Sequence, residues 1–186
     1  HLFPVDTAAR EQASGQQGSV LWLTGLSGSG KSTIADGVSQ TLHAEGRVHS
    51  ILDGDNLRTG INRDLGFTPE DRVENIRRTA EIAALMADAG LVVIVSLISP
   101  YRQDREQARD IVGAHRFREV FVSTALEVCE KRDPKGLYNK ARQGQIPNFT
   151  GVNAPYEEPV SPDLTLDGAR PVEHLVSDAM ALIRGT

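Results

Sequence analysis

Gly25-Leu26-Ser27-Gly28-Ser29-Gly30-Lys31-Ser32 sets glycines, a lysine and a hydroxyl in the spacing G-x-x-x-x-G-K-[ST]. Such a set can hold a polyphosphate. Glycines allow the dihedrals that turn successive backbone N–H groups toward an anion, and they let phosphates come close. A helix opening after Gly30 adds its positive end. Lys31 can reach the terminal phosphates, and Ser32 can offer its hydroxyl to Mg²⁺. Gly25, Ser27, Gly28, Ser29, Gly30, Lys31, Ser32 and Thr33 are the candidate nucleotide-binding residues. A chance glycine-rich turn is the bland alternative, and the strand and helix signals on either side weigh against it.

A second group is acidic. Asp53-Gly54-Asp55 is followed by Asn56 and Arg58. A carboxylate facing a triphosphate can orient an acceptor hydroxyl, take its proton, or support a metal through water. A lone acid in a turn is usually only a turn residue, but this pairing points to a kinase of small molecules. Guanine recognition is not supported, because Asn139-Lys140-Ala141-Arg142 lacks the required acid. The apolar run ending in Ser96-Leu97-Ile98-Ser99 lacks the terminal aspartate used by ATPase motors.

Arginines 58, 63, 72, 77 and 78 concentrate in the next stretch. Arg72 and Asn75 share a helix face. For Arg58 and Arg72, contact with an anionic acceptor is expected. Arg77 and Arg78 read equally well as solvated partners of Glu70, Asp71 and Glu74. Phe67 and Phe149 fall in loops, where they can plug locally or stack on a purine, worth roughly 1–3 kcal/mol per base.

Alternating strands and helices must position these groups, which predicts an α/β domain with a mostly parallel sheet. Strands are expected at Val20–Thr24, Val48–Leu52, Leu91–Leu97, Glu119–Val122 and Leu164–Leu166. Helices are expected through Ile34, Val38 and Leu42, from Thr68-Pro69 onward, and over Arg102–Val112, Ala125–Lys131 and Val172–Ile183. The long helix carries a stripe of Val73, Ile76, Ala80, Ala83, Ala84 and Ala87, closed by Gly90. Residues 133–159, rich in Gly, Pro, basic and aromatic residues, are expected to form an irregular lid.

The chain has 186 residues, enough for one domain with a core, at 39% hydrophobic and 24% charged. A net charge of −5 argues against a nucleic-acid partner. No apolar run is long enough for a membrane. The single cysteine, Cys129, excludes an internal disulfide and suits a reducing, cytoplasmic setting. Residues 1–17 read as a polar leader or linker and 18–186 as the domain.

These signatures resemble the adenylylsulfate kinase family over about Gly18 to Leu166. They are GLSGSGKST, LDGDNLR, LGFTPEDRVENIRR, ISPYRQDR, KRDPKGLYNKAR and FTGVNAPYE. The resemblance implies a P-loop NTPase-type three-layer sandwich with a lid segment. It implies ATP as co-substrate with Mg²⁺, and phosphorylation of adenylyl sulfate (APS) to 3′-phosphoadenylyl sulfate (PAPS). By it, Asp55 orients or deprotonates the ribose 3′-hydroxyl, with Lys31, Ser99 and Lys135 as further catalytic candidates. Asp53 and Ser32 support the metal, the former directly or through water. Arg58, Arg72 and Asn75 bind the acceptor, with Phe67 and Phe149 clamping its adenine. Ile98 and Ser99 line the substrate, Lys135 lies near the phosphosulfate or transferring phosphate, and Arg132 borders the ATP adenine. The family serine matched by Ser99 is described as a phosphoserine. No base beside it is evident, so direct transfer is expected, with Ser99 in substrate positioning. A homodimer, and fusion to or association with sulfate adenylyltransferase, are both compatible with the resemblance. The residues alone leave open a P-loop kinase of another hydroxyl acceptor and a nucleotide-binding regulatory module.

Overall fold

The computed structural model describes residues 4–185. In chain order it contains α1 (Thr7–Ser14), β1 (Ser19–Thr24), α2 (Lys31–Ala44), β2 (His49–Asp53), α3 (Gly54–Thr59), α4 (Pro69–Asp88), β3 (Val92–Ser96) and α5 (Arg102–Val112). β4 (Phe117–Val122), α6 (Leu126–Arg132), α7 (Leu137–Arg142), β5 (Leu164–Leu166) and α8 (Val172–Arg184) complete it. The described strands form a 5-stranded sheet in the order β2-β3-β1-β4-β5, and every pairing is parallel.

Alternation along the strands builds a core on each face of the sheet. Leu21, Leu23, Val92, Ile94, Val120 and Val122 point to α2 and α8, meeting Ile34, Val38, Leu42, Leu175 and Ile183. Val20, Trp22, Val93 and Val95 point the other way, toward Ile76, Ala80 and Ala83 of α4 and Ala108 and Val112 of α5. Helix, sheet and helix are the layers of the expected sandwich. Register pairs Ser96 with both Leu23 and Asp53, so the C-terminal ends of β1, β2 and β3 reach one edge together. Ligands of open parallel sheets bind at that edge.

Local chemistry sets the long helix as expected. Thr68 caps α4 by accepting from the Asp71 amide at 3.1 Å, and Pro69 takes the first position. Val73 departs from the expected stripe and is 39% exposed. The inward line at that end of α4 runs instead through Asn75 and Ile76. The acidic turn also differs, since Asp53 closes β2 and Asp55 lies in the first turn of the short helix α3. The stretch 133–159 is less irregular than its composition suggests. It holds α7, and Tyr138, Ala141 and Phe149 pack with Cys129 as a separate small core.

Of the segment expected as a polar leader, His1–Phe3 lie outside the described residues, and Thr7–Ser14 form α1. Asp6 caps it through the Ala9 amide at 2.9 Å. Asp88, at the end of α4, anchors it: its carboxylate accepts from Thr7 Oγ1 and Arg10 Nη2, while Arg10 Nε donates to the Asp88 carbonyl at 2.8 Å. The Thr7 hydroxyl first, then the guanidinium charge of Arg10, holds the Asp88 carboxyl below its usual range. A depressed carboxylate contributes stability above its unfolded pKa and loses it as pH falls through the folded value. Asp88→Asn should therefore lower the melting temperature at pH 7 by about 2–4 °C, a part-exposed pair being worth about 1 kcal/mol at most. The gap should narrow as the pH falls below the ordinary aspartate value of about 3.9, and equal deficits at neutral and strongly acid pH in a thermal melt would contradict this account.

Candidate active site

The cradle begins where β1 ends. Gly25 has φ 153°, and a Cβ there would stand 2.7 Å from the Val122 carbonyl oxygen. Gly28 has φ 74°, and a Cβ there would stand 3.2 Å from the Cys129 carbonyl oxygen. Both positions disfavour side chains on two counts, conformation and space. No side chain caps α2 at Gly30, so its first amides keep their donors for an anion. Ser27 and Ser29 contribute backbone to the turn: Tyr138 Oη donates to the Ser27 carbonyl at 2.8 Å, and Thr124 Oγ1 to that of Ser29 at 2.7 Å. Thr33 lies exposed in the first turn of α2.

Lys31 is 8% exposed and folds back on the cradle, donating to the carbonyls of Gly25 at 2.9 Å and Leu26 at 2.7 Å. Burial pushes its ammonium down to about 8, against the weaker pull of Cys129, Asp53 and Asp55. Arg132 stands behind the turn, donating to the carbonyls of Gly28 at 3.3 Å and Gly168 at 2.7 Å.

The acids reach the same edge. Ser32 Oγ donates to Asp53 Oδ2 at 3.0 Å and lies 3.3 Å from Ser96 Oγ. Asp53 Oδ1 accepts from the Asp55 amide at 3.0 Å, capping α3 and fixing the carboxylate. Asp55 is exposed and forms an ion pair with Lys135 of the 133–159 segment. Lys31, Ser32, Asp53, Asp55 and Lys135 thus form one cluster. The Ser32 and Asp53 oxygens match Mg²⁺, which takes one or two protein oxygens and completes its shell with phosphate and water. Among the described residues no group of His, Cys, Asp and Glu forms a metal cage by itself.

A basic wall adjoins the acids. Arg58 Nη1 donates to the Gly66 carbonyl at 2.7 Å, and its guanidinium covers one side of the Phe67 ring at 4.3 Å. Phe67 is itself 62% exposed. Arg72 bridges to the 133–159 segment, donating to the Asn148 carbonyl at 2.6 Å and to Thr150 Oγ1 at 3.1 Å. It also donates to the Phe67 carbonyl at 3.2 Å, so one guanidinium joins the segments that carry Phe67 and Phe149. Neither Arg58 nor Arg72 has an ion-pair partner among the described residues. Burial, and then the neighbouring charge of Arg72, depress the Arg58 guanidinium. An anion between them would relieve that repulsion. Arg77 and Arg78 behave otherwise, pairing with Glu74 at 2.7 Å each, and Arg78 also with Asp64 at 2.8 Å. They are helix ion pairs. Asn75 is buried and accepts from Asn62 Nδ2 at 3.0 Å. Phe149 is only 8% exposed and packs edge-on against Tyr138, with ring centroids 5.0 Å apart. Its ring fills the small core it shares with Cys129, Tyr138 and Ala141 and leaves little free face.

Ser99 is 2% exposed with φ 41°, a conformation rare outside glycine. Its hydroxyl accepts from Trp22 Nε1 at 3.1 Å and donates to the Leu97 carbonyl at 3.4 Å. The Ile98 carbonyl accepts from Thr24 Oγ1 at 2.7 Å and from the Gly25 amide at 3.4 Å, tying this turn to the cradle. Sequence reasoning passed over Thr24, Ser96 and Arg105 as individual residues. Arg105 and Tyr156 stood inside quoted motifs, yet only their contacts reveal them.

Known proteins of similar sequence and fold place the chain in a family. The profile described as adenylylsulphate kinase matches residues 17–167. An adenylyl-sulfate kinase of Enterobacter sp. (strain 638) is 55% identical over 184 residues, covering 99% of this chain and 92% of that protein. One from Erwinia tasmaniensis is 54% identical with the same coverage. The Mycobacterium tuberculosis APS kinase, solved in complex with AMPPNP and APS, is 46% identical and similar at a TM-score of 0.87, covering 91% of this chain and 99% of that one. With a profile spanning most of the chain and relatives of this identity over nearly its whole length, the protein belongs to the adenylylsulphate kinase family.

Proposed function

We propose that the protein transfers the γ-phosphoryl group of ATP to the ribose 3′-hydroxyl of adenylyl sulfate, giving PAPS and ADP in sulfate activation. Family membership supports this, and one observation carries it: Asp55 opens α3 on the sheet edge of the Lys31 cradle, where it pairs with Lys135 and its charge reaches both Lys31 and Arg58. The cradle amides and Lys31 hold the triphosphate of ATP. Ser32, and Asp53 directly or through water, would hold Mg²⁺, which would supply neutralisation of phosphate charge. Arg132 borders the nucleotide from behind the turn.

On the acceptor side, Arg58 and Arg72 take the phosphosulfate charge and Asn75 completes the wall. Phe67 stacks on the adenine by its open face, while Phe149 and the Ile98–Ser99 turn bound the pocket. Asp55 accepts the 3′-hydroxyl proton as the oxygen attacks the γ-phosphorus, and the bond to the bridging oxygen of ADP breaks. For that, Lys135 must leave Asp55, and incoming phosphate or sulfate oxygens give the ammonium a new partner. Ser99 positions substrate through its backbone. Its hydroxyl is buried and bonded to Trp22 Nε1 and the Leu97 carbonyl, with no basic side chain accepting from it among the described residues, which supports direct transfer.

Offered ATP, Mg²⁺ and a panel of hydroxyl acceptors, the protein should form ADP in proportion to adenylyl sulfate. ADP formation with a different acceptor and none with this one would replace the reading. Asp55→Asn should cut kcat by roughly 10²–10⁴-fold while ATP affinity stays near its original value. A near-normal rate would remove Asp55 from proton transfer. After incubation with γ-³²P-ATP and Mg²⁺, the denatured protein should carry no label, and labelled Ser99 would restore a phosphoserine path.

The lowered pKa of Lys31 has a measurable consequence. Above about pH 8 the free protein increasingly holds a neutral amine, whereas a bound triphosphate favours the charged form. Nucleotide binding should take up a proton between about pH 8 and 10, and affinity should fall as pH rises through that window. Calorimetry in buffers of different ionisation enthalpy reads this directly, and buffer-independent heats would refute it.

A further inference from the structure

Arg105 is the most buried arginine among the described residues, and nothing in the phosphoryl transfer itself uses it. It is 2% exposed, and its Nε donates to Glu119 Oε1 at 2.7 Å. Its remaining nitrogens serve a different purpose. Nη1 donates to the Ser99 carbonyl at 2.7 Å, and Nη2 donates to the Glu157 carbonyl at 2.7 Å. The first is the acceptor-side turn and the second is the limb by which the lid returns to the body.

Thr24 closes the same circuit from the cradle side. Its hydroxyl lies 2.7 Å from the Ile98 carbonyl, 3.3 Å from that of Ser99 and 2.9 Å from Tyr156 Oη. Tyr156 stacks on Phe121 with centroids 5.9 Å apart, which holds the phenol in place. The Glu157 amide donates to the Pro100 carbonyl at 2.8 Å, and the Arg102 amide donates to Glu157 Oε2 at 2.8 Å. Around this circuit Ser99 keeps φ 41°, a conformation that persists only where the surroundings over-determine it.

We infer that Arg105, together with Thr24, is a positioning residue for the acceptor: it fixes the Ile98–Ser99 turn and fastens the returning lid limb, Tyr156–Glu158, to it. The inference rests on the reading that this turn lines the adenylyl sulfate pocket. Guanidinium planarity is what the role requires, because one rigid fork reaches both carbonyls and Glu119 together. A lysine ammonium would keep the charge beside Glu119 and lose the simultaneous reach. Donation to the acceptor-side turn also predicts selectivity, since the ATP cradle has its own supports in Arg132, Thr124 and Tyr138.

Arg105→Lys should raise KM for adenylyl sulfate by roughly 10–100-fold, the span expected on losing hydrogen bonds from a charged donor, with KM for ATP changed by less than about twofold. Thr24→Val, a β-branched isostere without the hydroxyl, should shift the same constant in the same direction, and it decides the question should the first variant not fold. Arg109→Lys is the structural control: on the same helix, Arg109 turns away from Ser99 and the lid limb to pair with Asp163 at 3.0 Å and with Glu119 at 4.0 Å. It should leave both KM values unchanged whatever it does to the melting temperature. Parallel changes in both KM values for Arg105→Lys and Thr24→Val, or equal effects from Arg109→Lys, would overturn the inference alone. Failure of the unaltered protein to use adenylyl sulfate would overturn the functional reading and this inference with it.

Discussion

A lysine ammonium held almost out of water is the interaction on which the rest of this site depends. Lys31 has lost most of its hydration, and the carbonyls of Gly25 and Leu26 compensate only in part, which is why its pKa falls. A permanent carboxylate partner would have ended that tension and neutralised the cradle. The fold avoids this by giving Asp53 other donors, the Ser32 hydroxyl and the Asp55 amide. The acids remain near enough to influence Lys31 through space, yet the ammonium stays free to exchange weak carbonyl partners for phosphate. Low local dielectric makes that exchange worth more than the same contact in water.

Charge is divided on the same principle elsewhere. A chain with a net charge of −5 still presents a basic wall, because the arginines split by partner rather than by number. Arg77 and Arg78 are matched by the carboxylates of Glu74 and Asp64, while Arg58 and Arg72 bond to backbone carbonyls and keep their charge. A carbonyl orients a guanidinium without cancelling it. The result is a wall of fixed geometry, so binding of the proposed anionic acceptor would need little side-chain ordering.

What was legible in the sequence was mostly local. The cradle spans consecutive residues, and its chemistry follows from their types alone. The central strands announce themselves because burial on both faces demands unbroken apolar, β-branched runs such as Val92–Val95. Misses cluster where distant segments decide. Val73 fits the helical period but faces outward, since periodicity cannot say where the neighbouring layer stops. The glycines and prolines of 133–159 concealed α7, whose Tyr138 and Ala141 pack with Phe149 and Cys129. α1 was hidden for a similar reason, its anchor being Asp88, far along the chain. Arg105 looked like any helix arginine, and only its bond to the Ser99 turn gives it a role.

The small core within the lid has a mechanical consequence. A loop of this length lacking internal packing would have to be ordered at each turnover, at roughly 1–2 kcal/mol per residue of backbone entropy. Here Phe149, Tyr138 and Ala141 already pack on Cys129, and the Tyr138 hydroxyl reaches the Ser27 carbonyl of the cradle. The returning limb is fastened separately, through Tyr156 and Glu157. Between these attachments lie polar links, Lys135 with Asp55 and Arg72 with Asn148 and Thr150, which the proposed substrates would replace. If residues 133–159 close over substrate as proposed, closure exchanges a few polar partners on a preformed unit, and the entropy of ordering that unit has already been met in folding.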